Sequence, residues 1–206
     1  MNYYDENAEK YYNKTINAIN TDNLDKFLES VPKDGVIVDL GCGSGRDTLY
    51  MKSLGYTDIL PIDSSKGLIN KAYEEKGLRI LEADILTYRY ALNYYSGIFA
   101  NASLVHITKD EFIHLLPRLY RGLKYGGSMY ISLKPIENGV VEEVIDGRYF
   151  RYYDEKSLRN LFYSLDIRHF EMWRTPSTID SSKEWINILI KKGVWNKKEG
   201  VKPSFF

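Results

Sequence analysis

The order of apolar and polar positions predicts strands and helices that alternate along the chain. Residues 36–40 are apolar and rich in β-branched side chains, which is typical of a buried strand. The same reasoning predicts further strands at 59–63, 79–82, 97–100, 128–134, 167–173 and 185–191. Helical spacing predicts helices at 5–19, between 23 and 32, at 46–54, 65–76 and 109–123, and after 154. Strands that alternate with helices indicate a mostly parallel sheet with helices on both faces.

Two segments do not fit this pattern cleanly. Pro61 cannot donate a backbone hydrogen bond, so we expect it at a bulge or an unpaired position of its strand. Residues 135–153 show no clear periodicity, and we predict an irregular segment there. The polar end of the chain after Asn196 is expected to fray.

Three glycines at alternate positions follow the first predicted strand. The stretch DLGCGSGR, residues 39–46, leads directly into a predicted helix, which gives a strand, a tight turn and a helix in succession. Such a turn directs backbone N–H groups toward a ligand above the strand. The dinucleotide fingerprint G-x-G-x-x-G/A fits Gly41 and Gly43 but fails at Arg46.

The pattern that does fit is acid-x-G-x-G-x-G, with Asp39 as the acid. It resembles the first motif of the class I S-adenosylmethionine (SAM)-dependent methyltransferases; an unrelated glycine turn is the alternative. Asp63-Ser64-Ser65 is similar to the second motif of that family, and Ala83-Asp84-Ile85 to its adenine-binding segment. Residues 101–106, together with Gly43-Ser44-Gly45-Arg46-Asp47, resemble a small bacterial branch that includes the tellurite-resistance-type methyltransferases.

This resemblance implies a Rossmann-like three-layer α/β/α sandwich of about seven strands, mostly parallel, with an antiparallel C-terminal strand. It implies one domain over residues 1–206, with a cofactor-binding core at 36–134 and the substrate-side and C-terminal strands at 135–206. SAM would be the cofactor and S-adenosylhomocysteine (SAH) the product, without a metal. The expected cofactor-binding residues are Asp39, Gly41, Cys42, Gly43, Arg46, Asp63, Ser64, Ala83, Asp84, Ile85 and Asn101.

Two carboxylates at predicted strand ends have defined expected roles. Asp63 can accept hydrogen bonds from both ribose hydroxyls, as acids do in dinucleotide folds. Its alternative role is a helix N-cap, which Ser64 or Ser65 can also provide. The resemblance implies that Asp84 receives the adenine amine and that the N–H of Ile85 reaches a ring nitrogen; a solvated loop aspartate is the alternative.

The acceptor side is expected near residues 101–106, where the reactive groups of the family often stand. His106 has an ordinary pKa near neutrality and is a candidate general base, although a packed histidine at a helix start is the other interpretation. Residues 1–30 precede the first strand, and we predict that they form a helical lid. In it, Tyr3, Tyr4, Tyr11 and Tyr12 would face the cofactor and acceptor, unless they only pack the helix on the sheet. Arg46 would hold a carboxylate of either ligand.

Composition and missing motifs narrow the partners. The 28 basic and 28 acidic residues cancel, so we expect no general attraction to nucleic acid or to an anionic membrane. We also expect no membrane span and no signal peptide, and the single cysteine fits a cytoplasmic protein. The motifs of amino-DNA, cytosine-5 and arginine methyltransferases are absent, which leaves a small-molecule acceptor and a monomer or homodimer. A non-catalytic SAM-binding partner protein and a dinucleotide-dependent oxidoreductase remain alternatives.

Overall fold

Nine strands in the described part of the chain form one sheet. The structure is a computed structural model that describes residues 3–193. In chain order the strands are β1 Ile37–Leu40, β2 Ile59–Asp63, β3 Leu81–Glu82, β4 Tyr95–Ala100, β5 Leu123–Pro135, β6 Glu142–Ile145, β7 Arg148–Tyr153, β8 Phe170–Pro176 and β9 Glu184–Lys191. Strands β3-β2-β1-β4-β5 are adjacent in that order and parallel, while β9 pairs antiparallel with β5 and with β8. The mostly parallel α/β fold is confirmed, with two antiparallel C-terminal strands.

Several helices begin where a capping side chain satisfies one of their first N–H groups. Ser65 accepts the Leu68 N–H, Asp154 accepts the Ser157 N–H, and Thr108 forms a capping box with Glu111. The helices are α1 Tyr3–Glu6, α2 Ala8–Thr15, α3 Thr21–Leu28, α4 Arg46–Ser53, α5 Lys66–Lys76, α6 Lys109–Gly122 and α7 Glu155–Ser164, and a short 3₁₀ turn spans Leu104–His106.

Both faces of the sheet are apolar and covered. Alternation along the strands sends Ile37, Phe99 and Tyr130 to one face, where they are buried with residues of α3 and α4. Neighbouring strand positions point to the opposite face, where Ile98 and Met129 are buried with residues of α6 and α7. This packing leaves the carboxyl ends of the parallel strands as the edge at which a site can form.

The N-terminal segment forms two helices where one was predicted at 5–19. Asn7 separates α1 from α2 and has a non-helical conformation, with φ −116° and ψ 21°. Its side-chain amide donates to the Tyr3 carbonyl oxygen at 2.9 Å, the kind of local bond by which asparagine competes with helix formation. Helix α2 then ends at Thr15, so Ile19 lies beyond it.

Residues 135–153, predicted to be irregular, contain a β-hairpin, so that prediction is wrong. Strands β6 and β7 pair antiparallel around Asp146 and Gly147, whose φ angles of 51° and 73° both lie in the left-handed region. An Asp-Gly pair is preferred in such two-residue turns, so the signal was present in the sequence. The hairpin joins the sheet where β7 pairs with Lys134 and Pro135 of β5.

Two strand predictions also change in detail. Gly126 and Gly127, which lie between the helix predicted at 109–123 and the strand predicted at 128–134, are inside β5, whose pairing with β4 shifts register between Leu123 and Ser128. Pro61 pairs with β1, and the pairing of β2 with β3 begins only at the next residue, so Pro61 has no partner on that side, as predicted. Between residues 3 and 193, no helix is both long and apolar enough to cross a membrane. The segment after Asn196 lies outside the described residues.

Candidate functional site

The glycine turn after β1 is held by close contacts that exclude side chains. Gly41, Gly43 and Gly45 have φ angles of 64°, 56° and 73°, which glycine adopts without strain. A Cβ on Gly41 would lie 2.5 Å from the Cβ of Ser103, which follows β4. The turn is therefore packed against the neighbouring strand end, and its residues line a cavity there.

Asp63 connects this turn to α5. Its Oδ2 accepts the Gly43 N–H at 2.7 Å, and its Oδ1 accepts the Ser65 N–H at 2.8 Å. Burial raises the pKa of Asp63, and these backbone donors oppose that shift. The N-cap of α5 is Ser65, so Asp63 is not the cap itself and instead holds the N–H of the cap residue. Asp63 also lines the cavity, and each of its oxygens can accept a second hydrogen bond, so the ribose role stays a prediction.

A buried polar cluster supports the turn from below. Asp39 accepts the Thr48 hydroxyl at 2.5 Å, and burial, with the nearby charge of Asp47, raises the pKa of Asp39 to about 7. Asn101 donates to Asp47 at 2.9 Å and accepts the Ser132 hydroxyl at 2.9 Å. Asp39 therefore ties the end of β1 to α4, Asn101 ties the end of β4 to α4 and to β5, and both residues line the cavity.

Arg46 already has partners within the chain. Its Nε and Nη2 donate to the two oxygens of Asp47 at 2.7 and 2.8 Å, and its Nη1 donates to the Ala18 carbonyl at 2.8 Å. Arg46 thereby ties the chain after α2 to the start of α4. A ligand carboxylate would have to compete with Asp47, and the predicted ligand contact of Arg46 stays a prediction. Burial raises the pKa of the neighbouring Cys42, which keeps this free cysteine a thiol.

The residues expected near the adenine lie at the end of β3. The Ala83 N–H donates to the Asp63 carbonyl at 2.9 Å, which aligns the two strand ends. Asp84 is exposed at the cavity, where its Oδ1 accepts the Leu86 N–H at 2.8 Å. Ser64 and Ile85 also line the cavity, whereas Ala83 is not among its lining residues.

Helices α1 and α2, which we call the lid, lie over this edge of the sheet. Asp5 of α1 accepts the Ser65 hydroxyl at 2.8 Å and the Gly67 N–H at 3.0 Å, which anchors the lid on α5. The lid brings Tyr3, Tyr4 and Tyr11 to the cavity. Tyr12 is the exception, because it is buried outside the cavity lining with Lys71 of α5 above its ring. Consecutive helical residues point about 100° apart, and this rotation directs Tyr12 toward α5 while Tyr11 faces the cavity.

His106 is hydrogen-bonded on both ring nitrogens. Nδ1 lies 2.8 Å from the carbonyl oxygen of Tyr149, which only accepts, so Nδ1 carries the proton. Nε2 then accepts the Tyr4 hydroxyl at 2.7 Å. Burial lowers the pKa of His106 and raises the pKa of Tyr4, so at neutral pH the imidazole is neutral and the phenol is the donor. His106 is therefore packed and hydrogen-bonded, as the second interpretation expects, and its role as a general base stays a prediction.

One cavity of about 1090 Å³ collects these groups. It extends from the glycine turn past His106 to the hairpin, where Lys134, Arg148 and Phe150 line it. Sequence reasoning missed these three residues, although the Asp-Gly turn signal would have placed Arg148 and Phe150 on a hairpin strand. Among residues 3–193, no group of three or more His, Cys, Asp or Glu side chains is arranged to hold a metal ion.

Residues 37–127 match the protein family described as a methyltransferase domain. The chain is 27% identical over 153 residues to the tRNA (carboxymethyluridine(34)-5-O)-methyltransferase of Arabidopsis thaliana, covering 74% of this chain and 33% of that protein. It is 26% identical over 162 residues to the carboxy-S-adenosyl-L-methionine synthase of Shewanella amazonensis, covering 73% of this chain and 66% of that protein. The chain thus spans a third to two thirds of the length of these relatives.

Among solved structures, the chain resembles the 1,6-didemethyltoxoflavin-N1-methyltransferase of Burkholderia thailandensis, which was solved with 1,6-didemethyltoxoflavin and SAH bound. The TM-score is 0.71 at 18% identity, over 92% of this chain and 84% of that one. This likeness shows the fold. The narrower resemblance to tellurite-resistance-type enzymes stays a prediction.

Proposed function

The chain carries a methyltransferase domain with the class I SAM-dependent methyltransferase fold, and from this premise we propose that it transfers a methyl group from SAM to a small-molecule acceptor. The observation that carries the proposal is the cavity at the carboxyl ends of the parallel strands. The glycine turn, Asp63 and Asp84 all line it. This is the edge at which ligands of parallel α/β sheets bind.

The residues at this edge match the chemistry of SAM. The cofactor has no phosphate and needs backbone donors, a carboxylate for its ribose hydroxyls and an acceptor for its adenine amine. The backbone donors would come from residues 41–46, apart from the N–H groups of Cys42, Gly43 and Gly45, which already donate within the chain. Asp63 would accept the ribose hydroxyls and Asp84 the adenine amine. Each carboxylate oxygen of Asp63 can accept one more hydrogen bond from a ligand in the cavity, which supports its assignment to the ribose hydroxyls.

When bound, SAM supplies an electrophilic methyl group on a sulfonium. The task left to the chain is to orient an acceptor in line with that methyl group and to exclude water, and positioning of this kind can supply most of a rate enhancement. The lid suits both tasks, because it covers the strand ends and presents Tyr3, Tyr4 and Tyr11 to the cavity. The faces of these rings attract cations, a sulfonium included.

His106 is proposed as the base when the acceptor has a proton to lose. Its Nε2 accepts the Tyr4 hydroxyl, so the phenol stands next to the basic nitrogen. In this proposal an acceptor hydroxyl or amine gives its proton to the Tyr4 oxygen as Tyr4 passes its own proton to Nε2. The acceptor becomes methylated, His106 becomes an imidazolium, and SAH leaves. The 2.7 Å contact supports this route.

The class of acceptor, a small molecule, is a separate part of the proposal. The Arabidopsis relative is named for action on tRNA, yet the balanced charge of this chain argues against general attraction to a polyanion. We also propose that the enzyme acts in the cytoplasm and is a monomer or a homodimer.

Turnover of methyl-labelled SAM against a library of small acceptors tests the function. The proposal expects labelled methyl on at least one small molecule and none on bulk tRNA. Tight SAM binding without transfer to any acceptor class would favour the non-catalytic binding protein. Transfer to tRNA alone would contradict the small-molecule acceptor.

A further inference from the structure

We propose that the hairpin end of the cavity is a carboxylate subsite formed by Lys134 and Arg148. The methyl acceptor is then a small aromatic acid that also bears a hydroxyl or amino group. The identification of this ligand as the acceptor rests on the proposed function. The subsite itself rests on the contacts of these two side chains.

Three basic groups surround one buried ring at this end of the cavity. The ring of Phe150 lies 4.4 Å from the Nζ of Lys134 and 5.2 Å from the guanidinium carbon of Arg148. The centroid of the His106 ring is 4.6 Å away from that of Phe150. All four residues line the cavity, and the charges of Arg148 and Lys134 add to burial in lowering the pKa of His106. His106 is neutral at neutral pH, so two positive charges, those of Lys134 and Arg148, stand beside this ring and favour an anion there.

Lys134 has no anionic partner among residues 3–193. Its Nζ makes no hydrogen bond or ion pair there, and its neighbours are the rings of Phe150, Tyr152 and Trp185 at 4.4, 5.7 and 5.9 Å. A partly buried ammonium without a counter-ion is costly, and burial accordingly lowers the pKa of Lys134. A ligand carboxylate at this position would remove that cost.

The two carboxylates that act electrostatically on Lys134 have hydrogen-bond partners elsewhere. Glu137 accepts from Lys183 at 3.0 Å, and Glu143 accepts the Tyr152 hydroxyl at 2.5 Å. Neither carboxylate makes a hydrogen bond or ion pair with Lys134 in the described chain. The Lys134 ammonium therefore stays available to a ligand.

Arg148 also has donors that the chain does not use. Its Nε is buried and donates to no described acceptor. Its ion pair, from Nη2 to Asp146, is long at 3.5 Å and involves a carboxylate that is 65% exposed, so it contributes little. The ring of Tyr3 lies 4.1 Å from the guanidinium carbon and restricts its movement. A planar guanidinium held in this way is suited to a carboxylate, which it can bind through two parallel hydrogen bonds.

The sheet order places this pair on the acceptor side. Lys134 is near the end of β5 and Arg148 begins β7, whereas the expected cofactor residues follow β1, β2 and β3 on the other side of β4. The aromatic rings around the pair suit a planar acid. His106 touches the same Phe150 ring, so an acid held here has its remaining polar group near the proposed base.

Calorimetric titration of matched acid and amide probes tests the subsite. We would titrate 4-hydroxybenzoate and 4-aminobenzoate, and the corresponding amides, into the full chain saturated with SAH. The wild type should bind the acids at least tenfold more tightly than the amides, and Lys134→Met should lose that preference. Lys33→Met is the matched control and should keep it, because Lys33 also lies over a ring, 4.0 Å from that of Tyr56, but outside the cavity.

Equal binding of acids and amides by the wild type, or an unchanged preference in Lys134→Met, would overturn the subsite. Tighter binding of phenyl phosphate than of either acid would replace the carboxylate with a phosphate and so overturn the proposal as stated. If Lys134→Met loses SAH affinity as strongly as it loses acid affinity, Lys134 and Arg148 bind the cofactor and not the acceptor, which overturns the proposal. If the wild type does not bind SAH, the proposed function fails, and the acid and amide titrations are made on the ligand-free protein.

A thermal melt separates ligand binding from simple packing. If Lys134 serves only to pack the rings, Lys134→Met should melt at a lower temperature than the wild type and lose acid and amide binding alike. The proposal expects the ligand-free variant to melt no lower than the wild type. It also expects saturating 4-hydroxybenzoate to raise the melting temperature of the wild type and not that of the variant.

Discussion

Asp63 combines a structural role with a proposed ligand role. Replacing it with alanine removes the acceptor of two backbone N–H groups, which costs about 1–3 kcal/mol of folding stability for each buried donor left without a partner. The ribose would lose charge-assisted hydrogen bonds of about 1.5–3 kcal/mol each. We therefore expect Asp63→Ala to melt earlier and to bind SAH at least tenfold more weakly, as measured by calorimetry. Asp58→Asn, at an exposed position before β2, is the control. Wild-type SAH affinity in a folded Asp63→Ala protein would refute the ribose role.

Asp39 should make stability depend on pH. Its folded-state pKa of about 7 lies above that of an unfolded aspartate, so the folded protein retains a proton that the unfolded chain releases. The free energy of unfolding therefore falls as the pH rises toward 7, because the unfolded chain ionises Asp39 freely and the folded protein does not. Asp39→Asn removes this loss of stability, and we expect its melting temperature to rise relative to the wild type between about pH 4 and pH 7 and to keep a constant lead above that. A difference in melting temperature that does not change with pH would contradict this account.

If His106 is the base, the pH profile of kcat/KM should have an acid limb, in which the rate falls as the pH is lowered. That limb should lie at unusually low pH. Because burial lowers the pKa of His106, the neutral base is present below the ordinary histidine value of about 6.5. With an acceptor that must lose a proton, kcat/KM should rise with pH and level off below that value. His106→Ala should lose the limb and most of the turnover but keep SAH affinity. The control is His114→Ala, at an exposed position of α6, and an acid limb that persists without His106 would exclude it as the base.

At the residue scale, the sequence predicts features that are formed by residues close together in the chain. The glycine turn and the Ser65 cap of α5 depend on residues within one turn of each other, and both were predicted. The hydrogen bond between Tyr4 and His106 joins residues 102 positions apart, and no periodicity contains it. The positions of Lys134 and Arg148 around Phe150 follow from no local pattern either, because they depend on how the hairpin joins β5.

At the element scale, the lid depends on a close contact with α5. A Cβ on Gly67 would lie 2.9 Å from the Ala8 Cβ and 2.9 Å from the Asp5 carbonyl oxygen. Gly67→Val should therefore push α1 away from α5 while α5 itself gains helix propensity. We expect a folded protein with reduced methyl transfer and faster SAH dissociation, measured by turnover and stopped-flow.

Asn70→Val provides the control for the lid, because it places the same side chain at an exposed position of the same helix. The control should keep wild-type turnover. Full turnover in Gly67→Val, or in a folded protein lacking residues 1–20, would show that the lid is not needed. Tyr12, which the sequence placed on the inner face of the lid, is unsuitable for this test because it is buried outside the cavity lining.

Elements whose pattern is short or unusual were predicted less well than the parallel core. The hairpin of β6 and β7 was missed because its outer strand is exposed and has no buried face to give an alternating pattern. Strand β5 continues through two glycines because pairing with β4 resumes beyond them, which local turn preferences cannot anticipate. Strands β1, β2 and β4 were predicted because both faces of the sheet bury their apolar residues.

At the scale of the whole molecule, the parts meet in one cavity. The sheet order brings the ends of β1, β2 and β3 to one side of β4 and the ends of β5 and β7 to the other. The lid covers both sides and contacts His106 through Tyr4. This arrangement gives a cofactor end and an acceptor end within about 1090 Å³, a volume sufficient for two small ligands.

The central claim is that the glycine-turn end of this cavity binds SAM and not a dinucleotide. Calorimetric titration of SAH and of NADH into the wild-type protein measures this directly. The account predicts saturable binding of one SAH per chain and no detectable heat from NADH at the same concentrations. Binding of NADH in preference to SAH, or no SAH binding by the folded protein, would contradict it.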